Sequence, residues 1–167
     1  MRDFIEEVAK PFLAAAILTI LSVSFAVGVA MAVVFLSTPA DASPRYLAIA
    51  KSYIGLKEGT KKANKAMGVN TRKVPWCGYF IKAVVTKAGD KPVQSYPSAA
   101  AWKSYGTKVS LKTAMKGDIV VLKPGKRHHV GIYSHKDNGR VCIVGGNQSN
   151  SVKLSCYKAS LVKAVRR

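Results

Sequence analysis

The chain has 167 residues, 49% of them hydrophobic, with 27 basic and 8 acidic side chains and 3 cysteines. Residues 1–42 carry 2 of the basic and 4 of the acidic side chains, so residues 43–167 hold 25 against 4, a net charge of +21. That second stretch is long enough for one domain with a real core, with no need of staples. Its charge points to polyanionic partners, while the scattered lysines show no arginine-rich stretch, zinc-finger spacing or RNA-binding sheet motif, which argues against specific nucleic-acid recognition as its main role.

Residues 11–36 (PFLAAAILTILSVSFAVGVAMAVVFL) contain no charged side chain. As a helix they span about 39 Å, more than the ~30 Å hydrocarbon core of a bilayer. The sequence therefore predicts a hydrophobic N-terminal helix that meets the membrane. Residues 37–42 (STPADA) offer an A-x-A-like cleavage site ending at Ala42, yet the apolar run exceeds the about 7–15 residues of a usual signal peptide. A cleaved signal and a transmembrane signal-anchor (1–42) both stand. Either makes 43–167 an exported domain, tethered to the inner membrane or periplasmic. Arg45, Lys51 and Lys57, just after the segment, oppose that orientation under the positive-inside rule.

Apolar residues at 46, 47, 49, 50, 53 and 54 form a helical stripe that Gly55 stops. Residues 56–75 are polar and read as a loop with room for one short helical turn. Pro75 then precedes a helix over about 76–88, with Gly89 as its cap. Cys77 lies in its first turn. Residues 97–105 (PSAAAWKSY) predict another short helix. After it the period changes: 118–122, 130–134, 141–145 and 151–157 are short β-rich runs between turn signals. Helices first, then an antiparallel sheet, is an α+β order.

Three residues carry candidate chemistry: Cys77, His129 and Asn147. A thiol at a helix N-terminus feels the positive end of the dipole, and a nearby imidazolium favours thiolate further; the thiolate is the nucleophile. His129 heads a strand. Asp137-Asn138-Gly139 sits between that strand and the next. A three-residue loop with Gly139 left-handed pairs residues whose numbers sum to 276 and sets His129 opposite Asn147 on one face. A two-residue Asn-Gly turn makes the sum 277 and puts them on opposite faces. Convergence of the three therefore predicts the longer loop. Asn147 would accept the imidazole N–H and fix its tautomer. Taken singly, a structural Cys and a loop Asn are the ordinary readings of two of these residues.

If Ser149 centres the next hairpin, Cys142 faces Cys156, with Val144 and Leu154 beside them. The pair is either a disulfide, leaving Cys77 as the free thiol, or two small buried hydrophobes. The three histidines and Cys142 lack metal-ligand spacing, so no metal and no cofactor are expected.

The segments PWCGYFIKAVVTKAG, KGDIVVLK, HHVGIY and VGGNQSNSV, in that order, resemble the papain-like cysteine peptidoglycan hydrolases of the CHAP and NlpC type, in particular a subgroup often encoded by phages and prophages. YIGLKEG upstream and the final YKASLVKAVRR fit the same group, so the likeness covers about 45–167. Many CHAP domains carry Glu two positions before the Asn; here that position is Gly145. The resemblance implies a papain-like fold, with Cys77 as nucleophile, His129 as base and Asn147 as its orienting partner. It implies bacterial peptidoglycan as substrate, cut at an amide bond of its peptide, in a phage endolysin or host wall-remodelling enzyme working as a monomer. Trp76, Tyr79 and Trp102 are the expected cleft-lining aromatics, with a place in the core as the other reading of each. Anionic wall polymers or lipids, and the membrane through 11–36, are the further partners. The other readings are a non-catalytic wall- or membrane-binding module and a virion-associated protein that opens the wall at entry.

Overall fold

A computed structural model describes residues 42–167. The hydrophobic segment 11–36 and its expected cleavage site belong to the part outside the described residues. Among the described residues no helix is long and apolar enough to cross a membrane.

Among the described residues three helices come first: α1 (Ala42–Ser52), α2 (Lys61–Met67) and α3 (Cys77–Lys87). Six strands follow: β1 (Lys108–Val109), β2 (Ile119–Leu122), β3 (His129–Asp137), β4 (Arg140–Gly145), β5 (Lys153–Lys158) and β6 (Val162–Arg166). They form one sheet in the order β1-β6-β2-β3-β4-β5, every pairing antiparallel. This is the α+β architecture expected from the element order. The predicted helix over 97–105 is realised as a short 3₁₀ turn, Ala101–Ser104. Helix α2 falls where a loop was expected. Thr60 caps it by accepting the Ala63 N–H, and Gly68, left-handed at φ 69°, closes it; both caps are readable, but seven residues are too few to show a period.

The sheet is buried on both faces. Ile119, Val121, Val130, Ile132 and Val144 face the helices, joining Phe80, Ile81, Val84 and Val85 of α3 and Tyr46, Leu47 and Ala50 of α1. Val120, Leu122, Tyr133, Val141, Ile143 and Val165 form a second cluster on the other face. Two covered faces explain why β2 reads as an uninterrupted apolar run, IVVL, rather than an alternation. Strand β6 lies between β1 and β2, a crossover that no local pattern in the sequence reveals.

Both hairpin expectations meet the structure in an instructive way. The β4–β5 register pairs Cys142 with Cys156 and Val144 with Leu154, as a hairpin centred on Ser149 requires. Cys142 and Cys156 form a disulfide, with Cα atoms 3.9 Å apart, and Cys77 is the free cysteine. The β3–β4 hairpin departs from expectation. Asp137 pairs with Arg140, leaving a two-residue turn. Asn138 and Gly139 both take positive φ, 45° and 73°, the tight turn that Asn-Gly favours. Pairing at that end sums to 277. A bulge between Tyr133 and His135 absorbs one residue, and Ile132 then pairs with Val144, a sum of 276. The register expected at the far end is reached, through a bulge in β3 rather than a longer loop.

Candidate active site

Cys77 is the first residue of α3, preceded by Trp76 at φ −106° and ψ 14° with no side-chain cap. The first-turn N–H groups are thus left without a capping side chain. The thiol is 6% exposed. The N–H groups of Cys77, Gly78 and Val130 turn toward the sulfur and favour thiolate, but burial outweighs them and raises the thiol above its ordinary range. The Val130 N–H matters for placement, because it belongs to the residue after His129. It sets the head of β3 near the sulfur.

The start of α3 is held on two sides by glycines. A Cβ on Gly78 would lie 2.2 Å from the Tyr96 carbonyl oxygen and 2.6 Å from that of Pro97. Only glycine lets the 96–97 backbone come that close. A Cβ on Gly146 would lie 2.6 Å from Phe80 Cβ and 2.7 Å from Trp76 Cζ3, so the chain leaving β4 presses on the same helix start. The result is a cleft of about 250 Å³ beside the thiol, lined by Pro75, Cys77, residues 97–100, Arg127 and His128. His128 is held below its ordinary range by slight burial and by the charges of Lys103, Lys123 and Lys163, so the rim is electropositive. A second cavity of about 360 Å³, between Ser52 and Lys62, contains none of the candidate residues.

His129 opens β3, paired with Leu122 of β2. Burial pushes its imidazole down to about 4, and Gln148 beside it acts in the opposite sense. Its Nε2 is buried and makes no hydrogen bond among those described. A Cβ on Gly145 would lie 3.0 Å from that nitrogen and 3.1 Å from Gln148 Cδ. No hydrogen bond joins the thiol to the imidazole among those described. Burial drives both groups to their neutral forms.

Asn147 does not take the place expected for it. Strand β4 ends at Gly145, and Asn147 turns left-handed at φ 58°. No described hydrogen bond links it to His129. The side chain that comes against the imidazole belongs to Gln148, which is 5% exposed. Its Nε2 donates to the Gly145 carbonyl at 3.0 Å and to the Lys153 carbonyl, and its Oε1 accepts the Tyr157 hydroxyl at 2.8 Å. No spacing rule pointed to Gln148, because its position depends on three left-handed residues around it, Asn147, Ser149 and Asn150.

Of the two readings open for the aromatics, the structure gives the core one to both tryptophans. Trp76 and Trp102 are wholly buried. Trp76 donates its indole N–H to Glu58 at 3.0 Å and Trp102 to the Tyr96 carbonyl at 3.0 Å. Both are core residues, since large apolar rings with a satisfied N–H are best placed inside. Tyr79 is half-buried and packs edge-on against Tyr96, ring centroids 5.5 Å apart; it is not among the residues around the cleft. The metal expectation rested on spacing; Cys142 and Cys156, the thiols of the one His/Cys/Asp/Glu cluster among the described residues, with Asp137, are already joined to each other.

Residues 69–147 match the CHAP domain family, a stretch that holds Cys77, His129 and Asn147. The match spans just under half of the chain, so it marks what this segment is similar to. Around it the fold resembles solved NlpC/p60 structures. Rv1477, a hypothetical invasion protein of Mycobacterium tuberculosis, matches with TM-score 0.52 at 19% identity, over 75% of this chain and 61% of its own. The peptidoglycan hydrolase RipB of the same bacterium matches with TM-score 0.52 at 19% identity, over 75% and 64%. RipD, also from M. tuberculosis and described as a non-catalytic NlpC/p60 domain protein adapted to peptidoglycan binding, matches with TM-score 0.50 at 20% identity, over 76% and 97%. This chain therefore spans less than two thirds of the first two structures. At these identities the likeness establishes the fold alone, a papain-like one. No curated protein matches the sequence.

Proposed function

We propose that residues 43–167 form a CHAP-type domain that hydrolyses an amide bond in the peptide part of bacterial peptidoglycan, with Cys77 as nucleophile and His129 as general base and acid. The observation that carries the proposal is the sulfur of Cys77, at a helix N-terminus and beside a cleft, with the N–H of the residue that follows His129 among the groups that favour its thiolate. The two groups rest neutral, so the thiol proton passes to His129 as the sulfur attacks the carbonyl carbon. The protonated imidazole then gives that proton to the departing amine, leaving an acyl-enzyme. Water, deprotonated by His129, releases the acid and restores the thiol. The backbone N–H of Cys77 is a natural donor to the developing oxyanion. The electropositive rim suits a substrate bearing carboxylates.

The finer role follows from the sequence: an exported, lysis-type enzyme, held at or released from the membrane by residues 1–42 and drawn to anionic wall polymers by its charge. A non-catalytic wall-binding module is the second reading. It is favoured by the missing thiol–imidazole hydrogen bond and by the likeness to RipD, described as non-catalytic. Purified wall suspensions decide between them. The wild-type protein is expected to release new amine and carboxyl termini, identified by mass spectrometry, and Cys77→Ser to lose at least about 10³-fold in rate while still sedimenting with wall. Equal clearance by Cys77→Ser would overturn the thiol mechanism, and wall binding without turnover by the wild type would establish the binding module.

A further inference from the structure

We propose that Gln148 is the positioning residue for His129, holding the imidazole as the Nε2–H tautomer so that Nδ1 keeps the lone pair that receives the Cys77 proton. This rests on the hydrolase reading of Cys77 and His129 and names the member of the site that neither spacing nor family likeness identified.

The orientation of the Gln148 amide is fixed by its surroundings. Its nitrogen faces two backbone carbonyls, Gly145 and Lys153, which can only accept. Both amide hydrogens are therefore committed, and the oxygen must be the atom that meets Tyr157. A carbonyl oxygen accepts two hydrogen bonds. The Tyr157 hydroxyl, at 2.8 Å, fills one. The second lone pair is the acceptor left for an N–H on the buried Nε2 of His129, which otherwise has no partner. A buried imidazole nitrogen facing an acceptor places its proton there. The other ring nitrogen, Nδ1, is then unprotonated and available to the thiol.

The same geometry explains why the residue comes from position 148. Gly145 has no side chain to offer, and a Cβ there would sit 3.0 Å from His129 Nε2 and 3.1–3.2 Å from the Gln148 amide. The amide of Gln148 thus occupies the space into which a side chain at 145 would grow. A partner supplied from strand β4 and one supplied from the loop after it exclude each other, and this chain uses the second. The Tyr157 ring, its centroid 6.0 Å from that of His129, closes the arrangement from β5.

Nitrogen-15 NMR of imidazole-labelled protein at neutral pH tests the proposal in the wild-type chain, with His128→Gln and His135→Gln variants assigning the signals. The expected result is a single Nε2–H tautomer for His129. Gln148→Ala should give averaged or Nδ1–H shifts and lower kcat about 10²-fold, since an orienting carboxylate is worth up to ~10⁴ and a neutral amide orients without adding charge. Adding Gly145→Gln to Gln148→Ala returns an amide to the vacated space and should restore the tautomer. An Nδ1–H or averaged tautomer in the wild type overturns the proposal, as does a locked Nε2–H form that survives Gln148→Ala in a protein that still melts cooperatively. A locked tautomer that Gln148→Ala releases, in a protein that cuts no wall, leaves the positioning role standing and removes the hydrolase reading.

Discussion

At the scale of single residues, burial decides the charge state of the site. A helix N-terminus favours thiolate, and the sequence therefore suggested a thiolate–imidazolium pair. The folded protein desolvates both groups, and that effect exceeds the help of three N–H groups at the sulfur. The consequence is measurable. His129 is lowered to about 4 from an ordinary value near 6.5. Between those values the unfolded chain binds more protons than the folded one, so this group's contribution is present above about pH 6.5 and is lost as pH falls through about 4, up to about 3 kcal/mol. The acid limb of kcat/KM should lie near pH 4, not 6.5, with the alkaline limb set by the raised thiol. A pH–rate profile, beside urea titrations of wild type and His129→Gln at pH 7 and pH 4.5, checks both. An acid limb at 6.5 would show that the imidazole is solvated in the working enzyme. Cys77 was legible in the sequence because a helix start is a local feature. Gln148 was not, because its reach depends on consecutive left-handed turns, and Asn147 beside it fitted the strand register better.

At the scale of elements, the cleft exists because two backbones pass close to the first turn of α3. The tightest approach is at Gly78, where any Cβ would overlap the carbonyls of Tyr96 and Pro97. Gly78→Ala must push the 96–100 lip away from the thiol. We expect a loss of about 1–3 kcal/mol, the usual cost of overpacking, together with a fall in kcat, read by thermal melts and wall clearance; unchanged values in both would mean that the lip is not part of the site. The β3–β4 hairpin shows how a pattern can give the right register for a different reason. Asn-Gly formed its preferred two-residue turn, and the extra residue went into a bulge at 134. Side-chain period cannot distinguish these, since both restore the same face beyond the irregularity.

At the scale of the whole domain, charge is the organising feature. Three of the four acids in 43–167 are engaged within the protein: Glu58 accepts from Trp76, Asp90 from Arg45 and Tyr46, and buried Asp118 pairs with Arg167. The +21 net charge already counts these acids, so it is an excess of 21 basic side chains with no acidic counterpart in the domain. Adsorption to purified wall should therefore fall about tenfold or more as ionic strength rises from roughly 0.05 to 0.5 M, where the Debye length drops from more than 10 Å to a few ångströms. Sedimentation with wall fragments measures this, and salt-independent adsorption would show that contacts in the cleft dominate.

The sequence by itself determined the α+β order of elements, a cysteine at the start of a helix and the uneven charge, and it set Cys142 opposite Cys156 for a hairpin centred on Ser149, while the disulfide itself was decided by the fold. The features read from the sequence are all local or counted along the chain. The tertiary structure alone decided which cleft the thiol faces, that Trp76 and Trp102 are core, that β6 inserts between β1 and β2, and that Gln148 meets His129. Each of these depends on segments distant in sequence coming together, most tightly around the site at Gly78, against the 96–97 backbone, and at Gly145 and Gly146, against the side chains of His129, Phe80 and Trp76. There the informative feature is a missing side chain, which a linear pattern does not register.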